Sequence, residues 1–364
     1  MKIFRFYESK TRYSYALMFE TTNREEMYDY IVDRIYRNEL TYDPCCNYPN
    51  KDKQVELFTR HFKEHECDYI SNILEGYIES VELDPNRSKT DRDSYIRLNL
   101  IEHYKEAQAL NKEIFAIVIQ GSQNYKLDTY SNEYWSDIDT KCITLPTLDD
   151  IILNKKPTST THERENKEHI DLKDIRLMFE CFKKQNVNFV EVLFSEYYIV
   201  PDKYKALWDE LRGIAEEIVH AHPAQTLRAM SGMSMEKFKA LKHPYPTIVD
   251  KIDRFGYDPK QLHHIVRIND FIKKFVSGVP FKEAMVPDTK MKKYLTDIKL
   301  GKLKLSEAEK LAKEYDDDTK RIKDRYIEIH GDDIENPQAY RKLDDMLARV
   351  LKQYFKEVLR DNDN

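Results

Sequence analysis

The stretch 114–144, IFAIVIQGSQNYKLDTYSNEYWSDIDTKCIT, holds the residues best suited to chemistry. An apolar run ends at Gly121-Ser122, and a second run places Asp137 and Asp139 on either side of Ile138. In a strand, side chains repeat every two residues, so both carboxylates are expected on one face with Ile138 turned to the core. Two carboxylates so close repel, and one takes up a proton unless a strong positive charge lies beside them. Mg²⁺ supplies such a charge and prefers oxygen ligands. A further carboxylate, Asp171 in HIDLKD, falls between apolar Ile170 and Leu172 and is expected on the opposite face of a short strand. Lys260, His264 and Arg267 follow at i, i+4 and i+7, one face of a helix.

The rest of the chain must position these groups. Its 364 residues exceed one comfortable core and suggest two or three domains. No apolar run is long enough to cross a bilayer. MKIFRFYESK, broken at once by charges, lacks a secretory signal pattern, so the expected location is the cytoplasm, that of the host if the chain is phage-encoded. Five cysteines, with only Cys45 and Cys46 close together, read as reduced thiols rather than a disulfide or zinc framework. With 59 basic against 65 acidic residues the net charge is −6, so any nucleic-acid contact must be local.

In order, 1–40 reads as a β-hairpin, IFRFY and SYALMFE, and then a helix capped by Thr22 or Asn23. TYDPCCNYPNKDK reads as a loop, and VELFTRHFKEHECDYISNILEGYIESV carries apolar residues at helical spacing. The polar DPNRSKTDRDS, broken by Pro85, is the best domain boundary; YIRLNLIEHYKEAQAL then leads as a helix into the central strand. NKKPTSTTHEREN, without apolar periodicity, reads as an exposed mobile loop, and DIRLMFECFKKQ as an amphipathic helix. From about 201 onward the helical period dominates. The expected organisation is an N-terminal α+β extension (1–92), a catalytic core (93–200) and a helical C-terminal domain (201–364).

GSQNY followed by SDID, the lone aspartate of HIDLKDIRLMF, then NVNFVEVLF and GYDPKQLHHIVRI, resemble the DNA polymerase β-like nucleotidyltransferase superfamily. The likeness is strongest to its predicted RNA-repair branch of bacteria and bacteriophages, and it covers roughly 110–310. The resemblance implies an α+β fold: a mixed sheet with flanking helices followed by a helical domain, with the active site in the cleft between. It implies metal-dependent transfer of a nucleoside monophosphate from an NTP such as ATP to a hydroxyl, on RNA such as a tRNA end, with release of pyrophosphate. By similarity Asp137 and Asp139 would bridge two Mg²⁺ or Mn²⁺ ions, and Asp171 would complete the one that activates the attacking hydroxyl. Gly121 would let the backbone approach the triphosphate, Ser122 would bind its oxygens, and Lys260, His264 and Arg267 would face the β- and γ-phosphates. The chain departs from the family pattern at Asn124 and Lys126, which flank Tyr125 where a small residue and a glycine are usual, and in a longer connection before SDID. A protein side chain as acceptor, and a silent nucleotide- or RNA-binding module, stand as alternatives; intact Asp137, Asp139 and Asp171 weigh against the second. His263 is expected to serve packing or the surface, Trp135 to lie in the core, and Tyr125, Tyr130 and Tyr134 are candidate stacking groups.

Overall fold

A computed structural model describes residues 2–11, 14–44, 50–64, 69–132, 134–245 and 248–362. Cys45 and Cys46, with the middle of their expected loop, lie outside the described residues, whereas Cys142 and Cys181 are free thiols. The chain forms two compact units, 1–99 and 100–364, and both mix helix and strand.

In the first unit, strands β1 (Lys2–Thr11), β2 (Ser14–Thr21), β3 (Tyr69–Ile73) and β4 (Gly76–Glu82) form an antiparallel sheet of order β2-β1-β4-β3. The helices Arg24–Tyr36 and Lys51–Glu64 supply Met27, Ile31, Ile35, Phe58 and Phe62 to a core shared with Phe6, Ile70 and Ile78. Asn23 is the cap of the first helix, its side chain accepting from the Glu25 N–H. The expected helix over VELFTRHFKEHECDYISNILEGYIESV holds only as far as Glu64, because 69–82 is a hairpin. There Ile70 pairs with Ile78 across the two strands, and a Cβ on Gly76 would stand 2.1 Å from the Tyr7 carbonyl oxygen. Only glycine lets β4 approach β1 at that point.

The helix Lys89–Ala109 runs through the division between the units and leads into the second sheet. That sheet holds β5 (Ile114–Gln120), β6 (Asp139–Thr144), β7 (Ser159–Glu163), β8 (His169–Asp174) and β9 (Tyr198–Ile199) in the order β7-β8-β6-β5-β9. β6 and β8 are parallel and the other pairs antiparallel. β5 is buried along nearly its whole length, as expected of a central apolar strand. The expected mobile loop at NKKPTSTTHEREN contains β7, an edge strand whose side chains are mostly exposed, so no apolar alternation could announce it.

DIRLMFECFKKQ is the helix Ile175–Lys183, capped by Asp174, and it buries Ile175, Met178, Phe179 and Phe182 as its amphipathic spacing requires. The stretch after it becomes the short helix Val187–Val190, a 3₁₀ turn Glu191–Phe194 and β9. Beyond residue 201 the elements are all helical among the described residues, including Asp202–Gly213, Pro223–Ala240, Pro259–Val276, Thr289–Lys299, Leu305–His330 and Pro337–Asn362. One hydrophobic core joins this sheet to these helices: Phe115, Val118 and Ile143 from strands pack with Trp208, Leu227, Ile265, Ala308 and Leu343. Sheet and helices after residue 100 therefore cohere through shared apolar burial. No helix among the described residues is long and apolar enough to cross a membrane.

Candidate functional site

Gln120 faces Asp139 across β5 and β6, and Asp171 is flanked by Lys141 on β6 and Thr161 on β7. Strand periodicity puts Asp139 and Lys141 on one face of β6, and the cross-strand partners share that face. Asp171 accepts from Thr161 Oγ1 at 2.7 Å and from Gln120 Nε2 at 3.3 Å. Lys141 Nζ stands 3.6 Å from the Oδ2 of Asp171, and Lys173 Nζ 3.9 Å from its Oδ1. Burial works to raise the Asp171 carboxyl, yet these donors and the two ammonium groups outweigh it and hold it below the usual range. Asp171 does not cap the following helix; Asp174 does.

Asp137 lies outside β6, which begins at Asp139, so strand alternation does not set its direction as the sequence suggested. Backbone anchors do instead. Gln123 Nε2 donates to the Asp137 carbonyl at 2.8 Å, and the Ile138 N–H donates to Glu168 Oε1 at 3.1 Å. Glu168 is itself buried and also accepts from His103, Arg164 and Asn166. Asp139 accepts from the His169 backbone N–H at 3.0 Å and lies 3.3 Å from His169 Nδ1. The Asp137 carboxyl is pushed up by desolvation and then by Asp139, and pulled down by Lys260 and Lys299.

Gly121 follows β5 with φ +85° and no atom within 4 Å of where a Cβ would stand, so the backbone conformation rather than space calls for glycine. Its N–H donates to Glu191 Oε1 at 2.9 Å. Asn124 braces the same turn, donating to the Ile119 carbonyl at 2.9 Å and accepting from Ser195 Oγ at 2.7 Å. Its departure from the family pattern thus has a structural use, while Lys126 is exposed with φ +56° and is not among the residues lining the cavity.

A cavity of about 390 Å³ brings together Gly121, Ser122, Asp137, Asp139, Asp171, Lys260, His264 and Arg267. All eight residues singled out from the sequence line it, and the volume suits a small ligand. Four other charged groups line it that sequence reasoning missed: Lys141, Lys173, Glu191 and Lys299. Lys299 Nζ lies 4.0 Å from the centre of the Tyr134 ring and donates to Ser136 Oγ at 3.4 Å. Burial, with Lys260 nearby, pushes its ammonium down to about 8.

The basic helix face divides into two kinds of residue. Lys260 is exposed, whereas Arg267 is only 5% exposed, its guanidinium 3.9 Å from the Tyr125 ring centre. Arg267 Nε and Glu191 Oε2 have no hydrogen-bond partner among the described residues, and Glu191 favours the charged guanidinium against the cost of burial. His263 lines the cavity too, and its Nδ1 lies 3.1 Å from the Leu295 carbonyl, so packing is part of its role. Burial drives His263 down to about 3 and His264 well below its ordinary range, so both stand as neutral donors or acceptors near neutral pH. Of the candidate stacking groups, Tyr125 and Tyr130 are buried, and both Tyr125 and Tyr134 line the cavity. Trp135 is 49% exposed, edge-on to Tyr130, not in the core as expected: its buried neighbours Ser136 and Ile138 take the inward positions.

No protein-family model matches the chain, and no curated protein does. The chemistry therefore rests on the residues. Asp137 carries no hydrogen bond to its carboxylate among the described residues, and Asp139 raises its proton affinity; the pair fits a divalent cation, which would relieve that repulsion. Asp171 comes with its oxygens already engaged. No group of three or more acidic, histidine or cysteine side chains with metal-site geometry occurs among the described residues.

Glu191 yields a pH prediction. Its carboxyl is pushed up to about 7 by burial, against the pull of the Gly121 N–H and of Arg267. The folded chain thus holds this proton more tightly than the unfolded chain, whose value lies near 4.5. Stability from this group is greatest at low pH, falls as pH rises from about 4.5 to about 7, and is level above. Glu191→Gln removes that slope, worth roughly 1–3 kcal/mol. Thermal melts across that window are expected to show a smaller pH-driven loss in the variant than in the parent; equal losses would contradict the assignment.

Proposed function

We propose that the chain is a metal-dependent nucleotidyltransferase with a polymerase β-like core, moving a nucleoside monophosphate from an NTP to a hydroxyl on RNA such as a tRNA end. The acceptor oxygen forms a bond to the α-phosphorus, the bond from that phosphorus to the bridging oxygen breaks, and pyrophosphate departs with the electron pair while the hydroxyl proton passes to solvent. Asp137 and Asp139 would hold a divalent cation, which would supply charge neutralisation for the α-phosphate and the departing oxygen. The observation that carries this reading is the convergence of three carboxylates with Lys260, Lys299 and Arg267 around one cavity beside the Gly121 turn. Carboxylates and cations placed together in a cavity suit a polyphosphate bound as its metal complex, since each kind of charge has its own part of the ligand to meet.

The chain's own groups divide the task. The anchored Gln120–Ser122 segment ends the central strand at the cavity, and Ser122 offers a hydroxyl there. Lys260 and Lys299 lie close enough to Asp137 to lower its carboxyl, and they are the cations this reading assigns to the phosphates. Gln123 and Glu168 anchor the Asp137–Asp139 backbone before the nucleotide enters.

Incubating the protein with each α-³²P-labelled NTP, Mn²⁺ or Mg²⁺, total RNA and total protein, and then digesting with ribonuclease or protease, tests the acceptor. Label lost on ribonuclease digestion is the expected result. Label lost only to protease would move the acceptor to a protein side chain, and no macromolecular label under any condition would leave a silent binding module.

A further inference from the structure

Two observations separate Asp171 from the other carboxylates. Both of its oxygens are engaged, Oδ1 with Thr161 and Lys173, Oδ2 with Gln120 and Lys141. Lys141 in turn is well buried beside it. Its side chain is 4% exposed, its Nζ lies 4.4 Å from the centre of the Phe189 ring, and it stands in register with Asp171 on the neighbouring strand. Among the described residues Asp137, by contrast, carries no hydrogen bond to its carboxylate, and Asp139 accepts only from His169.

We propose that the site takes one divalent ion, between Asp137 and Asp139, and that Lys141 is a built-in cation holding the place beside Asp171 where a second ion would sit. The inference rests on the nucleotidyltransferase reading and refines it. An ion bridging Asp139 and Asp171 would share the face of β6 with the Lys141 ammonium, two residues from Asp139, whose side chain is only 4% exposed and so is weakly screened by water. Like charges so placed repel strongly, and Asp171 would have to give up its lysine before it could serve the ion. Lys141 is thus a positioning residue: it fixes Asp171 and supplies positive charge at that end of the cavity. A lysine does so without an ion having to bind first, so that end of the site is formed before nucleotide arrives.

Counting bound Mn²⁺ by electron paramagnetic resonance tests this. The full-length chain is titrated with Mn²⁺, alone and with an NTP analogue carrying a methylene at the α–β bridge. One ion per chain at saturation is expected in the parent. Lys141→Met keeps the side-chain length, removes the charge and is expected to raise the count with analogue to two. Asp171→Asn leaves the count at one and the ion's affinity within about tenfold of the parent, a change smaller than loss of a metal ligand brings. Two ions in the parent, an unchanged count in Lys141→Met, or an ion lost from Asp171→Asn would each overturn the assignment. Two ions in the parent leave the nucleotidyltransferase reading standing, whereas no ion with or without analogue removes both.

Discussion

Asp137→Ala is expected to abolish transfer while leaving the melting temperature of the metal-free protein unchanged or higher. The reason lies in what the carboxylate meets. It is exposed on one side, carries no hydrogen bond to its oxygens among the described residues, and has its proton affinity raised by desolvation and by Asp139. A raised value means that the folded chain disfavours the charged form, so deleting the charge near neutral pH relieves the fold. Asp139→Ala is also expected to be inactive, but it gives up two contacts to His169 and should lose about 1 kcal/mol. Mn²⁺ should raise the melting temperature of the parent and fail to raise that of either variant, because only a site that binds the ion can be stabilised by it. Transfer by Asp137→Ala at the parent's rate would contradict the assignment.

Arg267→Ala is expected to destabilise the fold, a larger effect than loss of a phosphate contact alone. Removing Arg267 takes from Glu191, which is 2% exposed and has one oxygen without a hydrogen-bond partner among the described residues, a cation that favours its charged form. Glu191, already pushed up to about 7, then keeps its proton instead of standing as a bare charge, so the cost is that of unmet buried polar groups, about 1–3 kcal/mol. Lost packing of the guanidinium on Tyr125 adds to it. Adding Glu191→Gln to Arg267→Ala should recover part of the loss above about pH 7, where burying a Glu191 charge would cost most, since the neutral amide can still accept from Gly121. Lys260→Ala, at an exposed position, should leave the melting temperature within about 0.5 kcal/mol equivalent and weaken NTP binding. Denaturant unfolding of the single and double variants, with nucleotide titrations on those that fold, separates the two roles; additive losses in the double variant would show that Arg267 and Glu191 do not act as a pair.

Much of this arrangement is legible in the sequence because local rules govern it. The apolar IFAIVI run, the Gly121 turn, the alternation in HIDLKD and the helical period of PKQLHHIVRINDFIKKF each state their own structure, and the eight residues that the family resemblance singles out are all among those lining the cavity. What escapes is set by distant partners. β7 is an edge strand exposed on both faces and so has no apolar signature. The β3–β4 hairpin carries Ile70, Ile73 and Leu74 at spacings that also suit a helix, and only the close approach of β1 to Gly76 decides for strand. Lys141 left a trace, a lysine two residues after Asp139 inside an apolar strand, but its significance depends on the register with Asp171. Glu191 and Lys299 lie 70 and 178 residues after Gly121 in sequence, and no local periodicity connects them to the turn. Asp137 illustrates the converse: the sequence places it beside Asp139 by strand alternation, whereas the chain achieves proximity through Gln123 and Glu168.

The most direct measurement follows the two ends of the same nucleotide. Parallel reactions with α-³²P- and γ-³²P-labelled NTP, Mn²⁺ and the RNA acceptor distinguish nucleotidyl transfer from every other use of a triphosphate, because the α-phosphorus must stay with the acceptor while the γ-phosphorus leaves in pyrophosphate. The expected result is α-label on the RNA, an equal amount of γ-label as pyrophosphate, and neither product from the Asp137→Ala, Asp139→Ala double variant. γ-Label on the acceptor, release of γ-label as inorganic phosphate without α-incorporation, or full transfer by the double variant would contradict the account.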